Sequence, residues 1–235
     1  MAAAEEADEL LAAASSSEDL EAMVRRREAG EPLAWITGST TFCGRRLVAR
    51  PGVFVPRPHS EELARRAAAL LEPGAAAVDL CTGGGAVAAH LQASVPGATV
   101  VGVDLDPRAV AVARANGVTA VVGDLDAPLR PGTADVVSAV APYVPTPAIE
   151  LLPSDVRAHE PRLALDGGPD GLRVVATVAA AAGRLLRPGG HLLVEVGGDQ
   201  GDPATELVAA EGLVPVERWH DEHGDLRGLH ARVTR

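Results

Sequence analysis

The spacing of apolar residues along the chain changes several times. Over residues 2–27 they recur at helical intervals among many charges, and Ser15-Ser16-Ser17-Glu18 breaks the run as a capping box that opens a second short helix. Over residues 34–55 apolar and polar positions alternate around Thr37-Gly38 and Cys43-Gly44 and stop at Pro51-Gly52, which predicts a β-hairpin or extended linker. Helical and strand-like segments then take turns: helix 60–71, strand 76–80, helix 86–93, strand 99–103, helix 107–116, strand 118–122. A strand over 134–140, a helix over 171–186, a strand over 191–196 and a helix over 203–211 continue the series. Strands over 213–219 and 228–234 close it, joined through His223-Gly224-Asp225 as an antiparallel hairpin.

Repeated strand-helix-strand units predict a parallel sheet with right-handed crossovers. The expected architecture is a doubly wound α/β domain with seven strands, mostly parallel, one of them reversed by the terminal hairpin, and a ligand at the carboxyl ends of the strands. The organisation read from the pattern is a short helical segment over 1–32, a hairpin and linker over 33–56, and the main domain over 57–235. No internal repeat interrupts it.

Composition narrows the partners. The hydrophobic share of 47% suffices for one buried domain, while the aromatic share of 2% leaves the core to Ala, Val and Leu and offers no row of rings for stacking bases. A formal charge of -11 repels a phosphate backbone, so nucleic acid is not expected as a partner. The longest apolar runs fall far short of the roughly 20 residues of a membrane span, and the first residues do not form a secretory signal, so a cytoplasmic protein is expected. Cys43 and Cys81 read as two reduced thiols. His220 and His223 stand three apart without further ligands at metal spacing, and no metal site is expected.

The candidate chemistry begins at Asp79-Leu80-Cys81-Thr82-Gly83-Gly84-Gly85, which closes one strand and opens a helix, so that backbone N–H groups can approach a ligand closely. Asp104, at the end of the next strand, is placed to take both hydroxyls of a ribose. These two features suit a dinucleotide as well as S-adenosylmethionine, because Gly83, Gly85 and Ala88 also satisfy G-x-G-x-x-A. Asp79 tips the balance: a carboxylate there is unfavourable beside a pyrophosphate and favourable beside a sulfonium and ammonium. Asp124, in Gly123-Asp124-Leu125 after the third strand, offers an acceptor for an adenine amino group.

Several further segments resemble the protein-(glutamine-N5) methyltransferases of the HemK type, over roughly residues 25–235. They are Pro32-Leu33-Ala34-Trp35-Ile36-Thr37-Gly38, Pro51-Gly52-Val53-Phe54-Val55-Pro56-Arg57-Pro58, the Asp79 loop, and the run from His159-Glu160-Pro161-Arg162 to Asp166-Gly167-Gly168. Arg187-Pro188-Gly189-Gly190-His191 and Glu195-Val196-Gly197 through Gln200 complete the set. The resemblance implies a class I methyltransferase fold with S-adenosylmethionine as methyl donor and S-adenosylhomocysteine as product. The cofactor contacts it suggests are Arg57, Asp79, Cys81, Thr82, Gly83, Gly85, Asp104, Leu105, Asp124 and Leu125. The catalytic segment it suggests is Val140-Ala141-Pro142-Tyr143, and the implied acceptor is a protein glutamine or a small amine or amide.

Three departures from the family pattern are visible. The family carries a larger helical docking domain in front, where this chain has residues 1–32. Cys81 stands at the first glycine of the cofactor loop. Val140-Ala141-Pro142-Tyr143 replaces Asn-Pro-Pro-Tyr, whose Asn side chain and following carbonyl accept hydrogen bonds from the acceptor NH2 in the family. Val140 has no such acceptor, which leaves the Ala141 carbonyl and the Tyr143 ring to hold a substrate. His59 replaces an acidic residue and either lines the active site or is solvated. Two other readings stay open at this stage: a non-catalytic cofactor-binding protein, and a nicotinamide-dependent oxidoreductase on the same sheet.

Overall fold

The computed structural model describes residues 3–234. Helices α1 (Ala3–Ala13), α2 (Ser17–Glu28) and α3 (Leu33–Thr37) come first and gather Leu10, Met23, Leu33 and Ile36 into a small core of their own. The cap of α2 differs from the sequence reading by one position. Ser16 accepts the Asp19 N–H at 3.1 Å, and the Asp19 carboxylate reaches back to the Ser15 N–H at 2.9 Å. The cap is therefore Ser16 with Asp19, which also holds Ser15, and Glu18 takes no part in it. Residues 33–37 are also helical rather than extended. Trp35 turns inward there and donates its indole N–H to the Val53 carbonyl at 3.0 Å.

The hairpin of β1 (Ser39–Phe42) and β2 (Arg45–Val48) follows and packs Phe42 and Leu47 against the main domain. Asn116 fastens it from behind. Its side chain accepts the Val48 N–H at 2.7 Å and donates to the Gly84 carbonyl at 2.8 Å, so hairpin and cofactor loop share one anchor.

The main sheet contains β3 (Ala76–Leu80), β4 (Thr99–Asp104), β5 (Thr119–Val122), β6 (Ala134–Ala139), β7 (Leu186–Val194), β8 (Leu213–His220) and β9 (Leu226–Val233). Their order is β5-β4-β3-β6-β7-β9-β8, and β9 alone runs against the others. The expected seven-stranded, mostly parallel sheet is thus the observed one. Because β4 and β6 leave β3 in opposite directions, the chain reverses its winding at β3, and a crevice opens beyond the carboxyl ends of β3, β4 and β6.

Both sheet faces are covered, which explains why the central strands are apolar at nearly every position. Val136 faces α4 (Ser60–Ala69), α5 (Ala86–Ser94) and α6 (Pro107–Ala115), while its neighbour Val137 faces α8 (Arg173–Leu185) and α9 (Gly201–Ala210). Leu63, Leu91 and Leu193 are each 1% exposed or less, and such burial stabilises by about 1.5–3 kcal/mol per side chain. Alanines line the facing helices at Ala64, Ala67, Ala88 and Ala89, which lets α4 and α5 lie close without aromatic filler. Between β6 and α8 the chain forms two 3-10 turns, Thr146–Leu151 and Arg162–Ala164, around α7 (Ser154–His159).

Candidate active site

The loop after β3 is bound to its neighbours by carboxylates. Asp79 is 1% exposed and accepts the hydroxyls of Thr82 at 2.6 Å and Ser138 at 2.7 Å. Burial outweighs these hydrogen bonds and raises its carboxyl to about 6. Asp104, at the end of β4, accepts the Gly83 N–H at 2.8 Å and the Asp106 N–H at 2.9 Å, one on each oxygen. Burial raises this carboxyl too, against the two backbone donors. Cys81 sits at φ 54, in the left-handed region where glycine costs least, which gives a physical reason for glycine at this position in the family pattern. Burial pushes its thiol well above the ordinary range, so it stays protonated and packs as a small apolar group. Gly85 caps α5 at φ 81, and a Cβ there would press on Ala113 and Val118.

A cavity of about 340 Å³ lies over these strand ends. Of the residues expected at the cofactor, Asp79, Cys81, Thr82 and Gly83 line it from the first loop. Asp104 and Leu105 line it from the second, and Asp124 and Leu125 from the third. Gly85 stands behind the wall as a helix cap. Arg57 is turned aside: its guanidinium donates to Glu160 Oε1 at 2.7 Å and stacks 4.8 Å above the Phe54 ring. Its neighbours Phe54, Pro56 and Ser60 reach the cavity instead.

The expected catalytic segment divides similarly. Val140 and Pro142 line the cavity, whereas Ala141 is 2% exposed in the core beneath them. Tyr143 points to a different cluster. Its hydroxyl is 3.3 Å from His59 Nε2, and that nitrogen is 3.1 Å from Oε1 of the buried Glu195. Burial and the Glu195 charge hold the phenol far above its ordinary pKa. His59 therefore neither lines the cavity nor floats in solvent, but joins α4 to Tyr143 at the end of the Val140 segment.

The backbone of that segment is fixed by Gln200, just before α9, and by the loop before α8. Gln200 donates to the Tyr143 carbonyl at 2.8 Å and to the Asp170 carbonyl at 3.1 Å, while the Val144 carbonyl accepts the Gly167 N–H at 2.9 Å. Gly171 lies so close that a Cβ would overlap the Tyr143 carbonyl and the Gln200 amide. Phe42, Phe54 and Arg173 also border the cavity and were not singled out by the sequence reading. The first two arrive from the hairpin region and the third from the start of α8, so no strand-end spacing marks them.

The residues present fit S-adenosylmethionine. Ser60 Oγ is buried, borders the cavity and has no hydrogen-bond partner, as expected of a hydroxyl reserved for a polar ligand end. Asp104 keeps free lone pairs after its two backbone donors, and Leu105 offers an exposed apolar surface at 54%. The four carboxylates of the wall, Asp79, Asp104, Asp106 and Asp124, suit a ligand carrying a sulfonium and an ammonium group.

Comparison with known proteins agrees with this geometry. Residues 77–159 match a family described as a methyltransferase domain. The release factor glutamine methyltransferase of Geobacter sulfurreducens is 36% identical over 217 residues, which cover 90% of this chain and 76% of that one. The 4-amino-L-phenylalanine/4-methylamino-L-phenylalanine methyltransferase of Streptomyces pristinaespiralis is 42% identical, covering 83% and 70%. The ribosomal protein L11 methylase from Lactobacillus delbrueckii subsp. bulgaricus shares the fold, with a TM-score of 0.58 and 14% identity over 79% of this chain and 84% of that one. Among the described residues no helix is long and apolar enough to cross a membrane. The chain belongs to the release factor glutamine methyltransferase family and is an S-adenosylmethionine-dependent methyltransferase.

Proposed function

We propose that the chain methylates a nitrogen carried on a small apolar or aromatic body, and that protein glutamine is at best a poor acceptor. The observation that carries this reading is Val140, which borders the cavity where the family pattern has the Asn that receives an amide NH2. Phe42, Phe54, Pro142 and Leu163 border the same cavity, so a primary carboxamide would meet mostly carbon. The acceptor named for the Streptomyces pristinaespiralis relative, an amino group on a phenylalanine, is of the kind such a wall accommodates.

The cofactor supplies an electrophilic methyl group. When bound, it would donate that group to the acceptor nitrogen, which would give up a proton to water, with the cofactor leaving as S-adenosylhomocysteine. In-line displacement needs alignment and dryness more than a covalent nucleophile. Asp104 would hold the ribose hydroxyls, Ser60 a polar group of the methionine end, and Leu105, Asp124 and Leu125 the adenine. The Cys81 to Gly83 backbone would follow the cofactor closely, with Gly85 setting the turn and Arg57 bracing the Phe54 to Pro56 wall through Glu160. Ala141 and Pro142 would present backbone to the acceptor, with Tyr143 fixed behind them by His59.

In the same proposal residues 57–235 form the methyl-transferring unit, the hairpin and linker over 33–56 close one side of the cleft through Phe42, Val53, Phe54 and Pro56, and 1–32 form a helical segment in front of them. The setting is cytoplasmic, in keeping with the two free thiols. A second reading, methylation of protein glutamine, draws on the named activity of the Geobacter sulfurreducens relative. A screen with labelled S-adenosylmethionine against release factors, glutamine peptides and aryl amines separates the two. Label on an aryl amine and little on release factor is expected; brisk release-factor methylation with inert aryl amines would reverse the order.

A further inference from the structure

Among the described residues that line the cavity, Arg173 is the one cation. It is exposed, begins α8, and finds no carboxylate partner among the described residues. Its single side-chain hydrogen bond goes to the Asp166 backbone carbonyl at 3.3 Å. The nearby carboxylates are engaged elsewhere. Asp166 takes the Thr146 hydroxyl at 2.6 Å and the Gly168 N–H at 3.0 Å, with Arg162 at 3.1 Å, and Asp170 takes the Leu172 N–H at 3.0 Å. The Arg173 stem is nonetheless placed, since its own N–H donates to the Gly167 carbonyl at 2.9 Å and its Cβ lies against Gly168. The loop that positions this guanidinium also holds the segment after Val140, since its Gly167 N–H donates to the Val144 carbonyl and its Asp170 carbonyl shares the Gln200 amide with the Tyr143 carbonyl.

A guanidinium is out of place opposite the cofactor, whose sulfonium and ammonium already outnumber its carboxylate. The rest of the wall is acidic or apolar, so Arg173 can serve only a ligand group of negative charge that reaches the side of the cavity formed by α8. Ser60 borders the cavity from α4, on the other face of the sheet, which separates the two positions.

We infer that the methyl acceptor carries an anionic group, a carboxylate, which docks on Arg173 while the reacting nitrogen lies at Val140 and Pro142. This rests on the proposed function and specifies its substrate class: an amine on an apolar ring with a carboxylate at the far end. Arginine matches a carboxylate with paired N–H donors, and at an exposed site salt and water reduce the gain. A preference on the order of tenfold in KM is therefore expected over the same ring without the charge.

The test uses 3-(4-aminophenyl)propanoate and 3-(4-aminophenyl)propanol as matched acceptors, with a glutamine loop peptide as third substrate. The native chain should favour the propanoate about tenfold in KM, Arg173→Gln should bring the ratio near one, and Arg173→Lys should restore part of it. Calorimetry with S-adenosylmethionine is run on each variant. Equal KM for the two ring acceptors in the native chain overturns the inference and leaves the proposed function standing. A matching loss of cofactor affinity in Arg173→Gln overturns it as well, by assigning the guanidinium to the cofactor. Turnover of the peptide alone, or of none of the three, overturns both.

Discussion

Gly83 donates its backbone N–H to Asp104 Oδ2 across 2.8 Å, so the cofactor loop of one strand is tied to the carboxylate that ends the next. The same group would face the ribose, and hydrogen bonds to a charged group contribute about 1.5–3 kcal/mol. Asp104→Ala is expected to weaken S-adenosylmethionine binding about ten- to a hundredfold. Isothermal titration would check this, and an unchanged Kd in a folded variant would remove Asp104 from the ribose role.

At Val140 the missing side-chain acceptor leaves an amide NH2 one hydrogen bond short, a cost of about 1–3 kcal/mol, or roughly one to two orders of magnitude in rate when it acts in the transition state. Val140→Asn should raise single-turnover methylation of a release-factor glutamine loop from a low native level. Brisk native transfer that the substitution leaves untouched would place Val140 outside the acceptor contact.

Asp79 gives the fold a pH dependence of definite sign. Its folded pKa of about 6 stands above the 3.8 of an ordinary carboxyl, so its stabilising contribution is complete below about pH 4 and is lost as pH rises through 6. The contribution is of order 3 kcal/mol. Urea denaturation between pH 4 and 7 should show this decline, and Asp79→Asn should flatten it. A native slope that survives the substitution would locate the titration elsewhere.

Gly171 combines φ 78 with a position where a Cβ would overlap the Tyr143 carbonyl and the Gln200 amide. Gly171→Ala should cost about 3 kcal/mol through backbone strain and displacement of that knot. Scanning calorimetry would then read a fall in Tm of roughly 6 to 12 °C. Activity should drop with it, because the displaced carbonyl belongs to the acceptor segment.

The succession of strands and helices and the reversed strand of the terminal hairpin were legible because the sheet is buried on both sides and its strands read as short apolar runs between glycines. Boundaries failed where tertiary contacts override local signals. Arg187-Pro188-Gly189-Gly190 reads as a turn, yet β7 begins at Leu186 because Ala134 pairs with Leu186 before the register shifts to Val136 with His191. Leu33 to Thr37 looks alternating, but a helical turn is what lets Trp35 reach Val53. The segment over 145–165 has no period to read, since its short turns are held by the loop before α8. In the site, Asp79, Asp104 and Val140 were marked by their place at strand ends. Phe42, Ser60 and Arg173 carry no such mark, because distant parts of the chain bring them to the cavity.

In sequence β9 follows every other described element, yet in the sheet it lies between β7 and β8. Until residues 226–233 take their place, β7 therefore keeps a bare row of N–H and C=O groups along one edge, and β8 has nothing beside it. Insertion of that one strand joins both neighbours, so that the open edge of β7 closes in a single step. A chain in which β9 has not yet paired is thus the state most open to wrong pairing at β7.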